Sequence, residues 1–266
     1  MKTLLLLIHA DEGQEARLQV ALGLARALGG HLLCVDVVAA PTLARDPTGL
    51  AVGPILAMET VRAGDNKIRL EERLAREGVC WTWVDAAGSV AECLLDHAGL
   101  ADLIIVNSKR DHALGLDARA VVGAVAMKAR CPVLAVPDDL RDFDPLGEAV
   151  VGWDGSAPAM ATLRASMPLL KLARRVRLVS VDDGGEAPRA TIDDARRYLG
   201  WYGVEAEVRH IVGTTPDAAL LSCAQLDKAA YCLIGAYGHG RWREDLLGGV
   251  TRRMLEAQAV PLLLGR

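Results

Sequence analysis

Short apolar runs alternate with helix-like stretches along the whole chain. Most of the runs are near-continuously apolar, as expected for buried strands, and they are five to eight residues long. The stretches between them repeat apolar residues at helical spacing. The predicted strands are residues 3–8, 31–38, 79–84, 102–106, 132–136, 148–153, 175–181, 204–211, 230–235 and 260–264. The predicted helices are residues 14–28, 55–77, 89–99, 117–130, 157–174, 189–202, 215–227 and 249–258.

This alternation predicts an α/β fold that occurs twice along the chain, as an internal repeat. Strands that lack an alternating polar face belong to parallel sheets covered on both sides, and right-handed crossovers then favour doubly wound topologies. We therefore expect two tandem doubly wound domains, each an open five-stranded parallel sheet of order 3-2-1-4-5 with helices on both faces. The domains are predicted at residues 1–137 and 148–266, with the polar segment "PDDLRDFDPLG" connecting them.

The two halves differ in length because the first carries an insertion. "ARALGGHLLCVDV" in the first half matches "LKLARRVRLVSVDD" in the second, and "CPVLAVP" matches "VPLLLGR". The spacing between these markers is longer in the first half. The extra residues are assigned to 39–54, rich in Pro, Gly and Ala, which we expect to form a surface loop.

Composition narrows the classes of function. Hydrophobic residues make up 52% of the 266 residues, which is enough for a packed core, and the net charge of −4 gives no reason to expect a nucleic-acid partner. The sequence contains neither an apolar run long enough to cross a membrane nor a signal-peptide pattern. We therefore expect a cytoplasmic protein with no membrane contact, in which the six scattered cysteines are reduced.

A glycine-rich stretch, "GAYGHGRWREDLLGGVTRRML" at residues 235–255, follows the fourth predicted strand of the second half. It lies at the carboxyl end of that strand, the edge at which doubly wound sheets bind ligands. It also leads into a helix, whose first amide groups favour phosphate. It is neither a Walker A loop nor the dinucleotide fingerprint. A flexible turn followed by a helix cap is the alternative interpretation.

A carboxylate stands on the predicted opposite side of the same crevice. Asp154 ends the first strand of the second half, which neighbours the fourth strand in a 3-2-1-4-5 sheet. A carboxylate there can accept hydrogen bonds from ribose or help to hold a divalent cation beside phosphates. Alternatively, Asp154 caps a helix or shapes a turn.

Together these residues resemble the ATP-binding pattern of the universal stress protein family, which reads G-x-x-G, nine residues, then G-[ST]. "WDGS" at residues 153–156 resembles the family's first-strand motif, and "SVDD" resembles the end of its second strand. Gly249 departs from the pattern, since the family usually has Ser or Thr there. The ligand-binding residues that the resemblance implies are Asp154, Val181, Gly235, Gly238, His239, Gly248, Gly249, Val250 and Thr251. The motif match is specific only in the second half.

What the resemblance implies is a tandem family member that binds ATP or AMP, with Mg²⁺ as an accompanying ion, and acts as a regulatory or signalling module in the stress response. The first half has Asn107 and Arg110 in place of Gly235 and Gly238, so no nucleotide is expected there. Two other functions stay open: a nucleotide-free interaction protein, and a weak ATPase on the same scaffold. No catalytic residue or metal cluster is predicted. We expect the two domains to pair within the chain through their last strands, and homodimers are a further option.

Overall fold

The structure, a computed structural model, describes residues 1–39, 52–108, 118–182, 189–236 and 249–266. Its strands are β1 Thr3–Ile8, β2 His31–Ala39, β3 Cys80–Gly88, β4 Leu103–Asn107, β5 Val133–Val136, β6 Glu148–Gly152, β7 Arg175–Asp182, β8 Ala206–Val212, β9 Tyr231–Gly235 and β10 Leu262–Gly265. Its α-helices are α1 Gln14–Leu28, α2 Val52–Leu74, α3 Val90–His97, α4 Ala118–Lys128, α5 Ala157–Ala165, α6 Met167–Leu170, α7 Ile192–Trp201, α8 Pro216–Leu226 and α9 Gly249–Ala257.

All ten of these strands form one sheet, in the order β3-β2-β1-β4-β5-β10-β9-β6-β7-β8. Within each half the order is the predicted 3-2-1-4-5 and every pairing is parallel. The two halves meet where β5 and β10 pair antiparallel, with Leu263 opposite Leu134. The predicted fold class is therefore confirmed, with the two five-stranded sheets joined edge to edge into a single one. The domain boundaries stay a prediction.

Each face of this sheet carries its own apolar core because neighbouring strand residues point to opposite faces. In β1, Leu4, Leu6 and Ile8 belong to one core cluster, under α1, α2, α5, α6 and α7. Leu5 and Leu7 belong to the other, under α3, α4, α8 and α9. The continuous apolar strands are thus explained by helices on both faces. The predicted insertion at residues 39–54 falls mostly on residues 40–51, outside the described residues.

Candidate functional site

The carboxyl ends of β6 and β9 lie side by side in the sheet. The two strands pair in parallel, with Val151 opposite Leu233. Asp154 follows β6 by two residues, and Gly235 is the last residue of β9. The structure therefore brings Asp154 and Gly235 to the same edge of the sheet, at the point where the strand order of the second half reverses.

A tight turn fixes the orientation of Asp154. Its Oδ1 accepts a hydrogen bond of 2.9 Å from the backbone N–H of Ser156, and the intervening Gly155 has a φ of +67°, a conformation that favours glycine. Ser156 is the N-cap of α5, and its hydroxyl oxygen accepts from the N–H of Ala159 at 3.2 Å. Asp154 itself is exposed. It therefore presents a carboxylate at the sheet edge while it also shapes the turn.

Gly235 has a packing role that the sequence did not indicate. A Cβ atom at this position would lie 2.4 Å from the backbone nitrogen of Ala159 and 2.8 Å from its Cα. Backbone atoms at that distance cannot move aside as a flexible side chain can. Glycine is therefore required here for the first turn of α5 to pack against the end of β9, whether or not its amide also meets a ligand.

The predicted phosphate-binding helix begins at Gly249. Gly249 is exposed, and among the described residues the nearest atom that an added Cβ would meet belongs to the Arg253 side chain, at 3.8 Å. Val250 is half-buried and packs on the same core cluster as Val181 of β7. Thr251 is buried in the first turn, with 4% of its surface exposed. The first turn of α9 and the end of β7 therefore share one face of the sheet.

The rest of the predicted glycine loop, including Gly238, His239 and Gly248, lies outside the described residues. Just beyond it, Arg253 of α9 forms an ion pair of 2.7 Å with Asp217 of α8. Burial alone would raise the pKa of Asp217, but hydrogen bonds from Arg253 and Thr215 lower it overall. The charge of Arg253 is therefore used to hold α8 against α9, a role that the sequence did not reveal.

The first half solves the same packing problem with different residues. Asn107 ends β4 as Gly235 ends β9, and its Nδ2 donates to the backbone oxygens of Gly13 and Val136 at 3.3 and 3.2 Å. Here the glycine is on the helix, because a Cβ on Gly13 would lie 2.3 Å from Asn107 Nδ2. The Asn107 side chain therefore occupies the space that a glycine would leave open.

Asp11, the first-half counterpart of Asp154 in the sequence, is held in a partly buried ion pair. Both of its carboxylate oxygens accept from Arg17 Nη1, at 3.0 and 2.9 Å, and the Arg17 side chain is only 1% exposed. The same guanidinium donates to the backbone oxygens of Leu7 and His9. Asp11 is therefore a structural partner of Arg17.

An open cavity of about 720 Å³ lies in the first half, away from the predicted site. It lies between the β1–α1 connection and α2, and polar residues that line it form hydrogen bonds with one another. Asn66 exchanges hydrogen bonds of 2.8 Å with Gln14 and accepts one from Arg69, while Arg62 donates to the backbone oxygen of Ala10. The lining comprises Ala10, Asp11, Gln14, Ala57, Met58, Val61, Arg62, Asp65, Asn66 and Arg69. No sequence motif indicated it.

Within the described ranges, no three His, Cys, Asp or Glu side chains come together in a way that could bind a metal ion. Nor do these ranges contain a helix of the length and apolarity required to cross a bilayer.

Comparison with known proteins identifies the family. Residues 1–137 match the sequence model of the universal stress protein family, so this match lies in the half that lacks the glycine motif. A universal stress protein of Synechocystis, Slr1230, is 26% identical over 196 residues, which cover 67% of this chain and 63% of that relative. The chain thus aligns with less than two thirds of the curated relative's length.

Solved structures agree on the fold of the whole chain. A universal stress protein from Archaeoglobus fulgidus is 17% identical and superimposes with a TM-score of 0.76, covering 99% of this chain and 96% of its own. A putative universal stress protein from Pseudomonas aeruginosa is 16% identical and superimposes with a TM-score of 0.65. The superposition covers 100% of this chain and 93% of that structure. At this identity the superpositions establish the fold alone. Taken with the match of residues 1–137, they lead to one conclusion: the chain belongs to the universal stress protein family.

Proposed function

We propose that the protein is a stress-response regulator that binds ATP or AMP at the carboxyl edge of its second half. The observation that carries the proposal is the juxtaposition of Asp154 and Gly235 at the ends of the neighbouring strands β6 and β9. Ligands of doubly wound sheets bind in such a crevice. A cytoplasmic location is part of this proposal.

Each predicted residue has a task in this proposal. Asp154, fixed by its turn, accepts hydrogen bonds from the ribose hydroxyls, and the backbone at Val181 meets the adenine ring. The amides at the start of α9 hold phosphate oxygens, because the first N–H groups of a helix have no partner within the helix. The proposed phosphate contacts are Gly235, Gly238, His239, Gly248, Gly249, Val250 and Thr251.

The described residues are compatible with a nucleotide. Asp154 is exposed at the sheet edge, and an added Cβ at Gly249 would be in ordinary contact only with Arg253, the nearest of the described residues. When Mg²⁺ accompanies the phosphates, it supplies charge neutralisation, and Asp154 is the carboxylate that would hold it.

Two observations favour the alternative, a nucleotide-free interaction protein. Gly249 lacks the hydroxyl that the family pattern has at this position, and Gly235 is already required by the packing of α5. A glycine that packing requires keeps this part of the motif in the sequence even when no ligand binds. The alternative therefore predicts the same sequence pattern without affinity for nucleotide.

Titration calorimetry with ATP, ADP and AMP, with and without Mg²⁺, tests the proposal. We expect binding that Asp154→Ala weakens at least tenfold, while Asp142→Ala, an exposed aspartate in the connection between the halves, leaves it unchanged. Absence of heat and of a thermal shift at millimolar nucleotide would refute the proposal and favour the nucleotide-free protein. Steady phosphate release that Asp154→Ala abolishes would instead identify an ATPase.

A further inference from the structure

Three aromatic side chains form a cluster on the surface of the second half, at the end of α7. The ring of Tyr198 lies 6.3 Å from that of Trp201 in an edge-on arrangement and 5.0 Å from that of Tyr202. Trp201 is 75% exposed and Tyr202 is 45% exposed. We call Tyr198, Trp201 and Tyr202 the aromatic cluster. Large aromatic rings in water carry a free-energy cost that burial would remove.

The first half shows that the fold does not require this cluster. Gly78 and Gly203 end the equivalent helices with φ angles of +67° and +76°, and Leu74 and Leu199, four residues before each glycine, are both buried. Aligned on these glycines, the aromatic cluster corresponds to Arg73, Arg76 and Glu77.

In the first half, the charged side chains at the positions of the aromatic cluster form ion pairs within the chain. Arg73 pairs with Glu15 at 2.6 Å and with Glu77 at 3.3 Å, and Arg26 of α1 also pairs with Glu77. In the second half Tyr202 stands in place of Glu77, and Lys171 beside α6 lies over its ring at 5.3 Å. One scaffold thus carries an ordinary solvated surface in one half and an aromatic surface in the other. Tyr198 also packs against the core, but the exposed rings of Trp201 and Tyr202 are not explained by folding.

The chemistry of the cluster is that of a protein interface. Tyr and Trp are enriched at the centres of interfaces, where they bury a large area with few rotatable bonds. Charged residues lie on the same face: Asp194, Tyr198 and Trp201 follow the i, i+4, i+7 spacing of one helix side, and Arg197 lies between them. Asp194 and Arg197 are exposed and pair at 2.9 Å.

This face is complementary to itself. Asp194 stands at its acidic end, and Lys171 stands at its basic end beside Tyr202. Asp194 and Trp201 are seven residues apart, which is about 10 Å along a helix. If two α7 helices meet antiparallel about a two-fold axis near Tyr198, Asp194 of one copy reaches Lys171 of the other, and Arg197 lies against the opposite Trp201. Such a contact uses one patch twice, as isologous dimers do.

We infer that the aromatic cluster is a dimerisation surface, and that its partner is a second copy of this chain docked through α7. The antiparallel pairing of β5 with β10 already joins the two halves within one chain, so the α7 contact links separate chains. This inference does not depend on nucleotide binding.

Sedimentation equilibrium over micromolar to millimolar protein concentration tests the surface itself. We expect a reversible dimer, and we expect the double variant Trp201→Arg/Tyr202→Glu, which copies the first-half residues, to be monomeric throughout. Arg76→Ala, at the position in the first half equivalent to Trp201, is the matched control and should dimerise like wild type. A wild-type chain that is monomeric at millimolar concentration, or a dimer that the double variant retains, would overturn the inference.

A charge exchange tests the orientation of the two copies. Lys171→Glu and Asp194→Lys should each raise the dissociation constant at least tenfold, because each places like charges together across the two-fold axis. The double variant Lys171→Glu/Asp194→Lys restores the opposite pair and should dimerise again. Asp194 also closes a capping box with Thr191, so thermal unfolding of each variant establishes that it is folded. A double variant that stays folded and monomeric would refute the antiparallel contact.

Discussion

Gly235 at the end of β9 lies directly against Ala159 in the first turn of α5, so closely that a Cβ on the glycine would stand 2.4 Å from the alanine nitrogen. We predict that Gly235→Ala lowers the free energy of unfolding by about 2 kcal/mol, the usual cost of overpacking, because backbone on both sides must move. Urea unfolding followed by circular dichroism measures the change.

Gly249→Ala is the matched control, because it adds the same methyl group to another glycine of the predicted motif. Its Cβ would be in ordinary contact, and alanine is the better helix former. The stability of Gly249→Ala should therefore equal or exceed that of wild type. Equal losses for both variants would contradict a packing role specific to Gly235.

The second prediction concerns affinity at the start of α9. Gly249→Ser restores the hydroxyl of the family pattern at a position where no described residue would crowd an added Cβ. If the nucleotide proposal is correct, this variant should bind ATP about fivefold more tightly, since one added hydrogen bond contributes about 1 kcal/mol. Calorimetry of the serine and alanine variants separates the effect of the hydroxyl from that of the added carbon, and equal affinities would argue against a contact between the residue-249 hydroxyl and phosphate.

The sequence was sufficient to predict the elements because apolar runs and helix-breaking residues are local signals. The predicted helix at 14–28 is found at Gln14–Leu28. The predicted helix at 157–174 is wrong in one respect, since it breaks at Ser166 into α5 and α6. Pro168, in the first turn of α6, is the signal that could have revealed the break, because proline cannot continue a helix's hydrogen bonds.

Contacts between elements were the part that the sequence could not supply. The position of Gly235 at a strand end and its match to the family pattern predict a ligand contact, whereas its contact with Ala159 depends on how α5 crosses β9. In the first half the strand end contacts the start of the helix through Asn107 and the N-cap residue Gly13, so the glycine there stands on the helix side of the contact. An exchange of this kind leaves no periodic pattern in either segment.

The two aspartates that follow β1 and β6, Asp11 and Asp154, should differ in their contribution to stability. Asp11→Asn keeps an acceptor for Arg17 but removes the counter-charge of a guanidinium that is 1% exposed, so stability should fall by about 2 to 3 kcal/mol. Asp154→Asn keeps the acceptor for Ser156 N–H at an exposed position and should change stability by less than about 0.5 kcal/mol.

Urea unfolding of the two asparagine variants measures this difference in stability, and titration calorimetry measures their affinity for nucleotide. Under the nucleotide proposal Asp154→Asn weakens binding while Asp11→Asn, once folded, does not. Comparable stability losses for the two variants would mean that Asp154 is also held in an ion pair that matters for folding.

The fourth prediction is a pH dependence that originates at Asp36 of β2. Asp36 is 3% exposed; burial, together with the nearby Asp85 carboxylate, raises its pKa to about 6 against the weaker opposing effect of Lys67. Because the folded protein binds this proton more tightly than the unfolded chain, the contribution of Asp36 to the free energy of unfolding falls as pH rises from about 4 to about 6.

Asp36→Asn removes this titration while keeping the size of the side chain. The variant should therefore match wild type near pH 4 and become more stable than wild type by about 2 kcal/mol above pH 6, where the wild-type carboxylate is ionised in its buried position. Urea midpoints at pH 4, 5, 6 and 7 measure the difference in stability between the two proteins, from which the titration of groups that do not interact with Asp36 cancels. A gap between the two proteins that stays constant over this range would place the ionisation of Asp36 at an ordinary pKa and contradict the prediction.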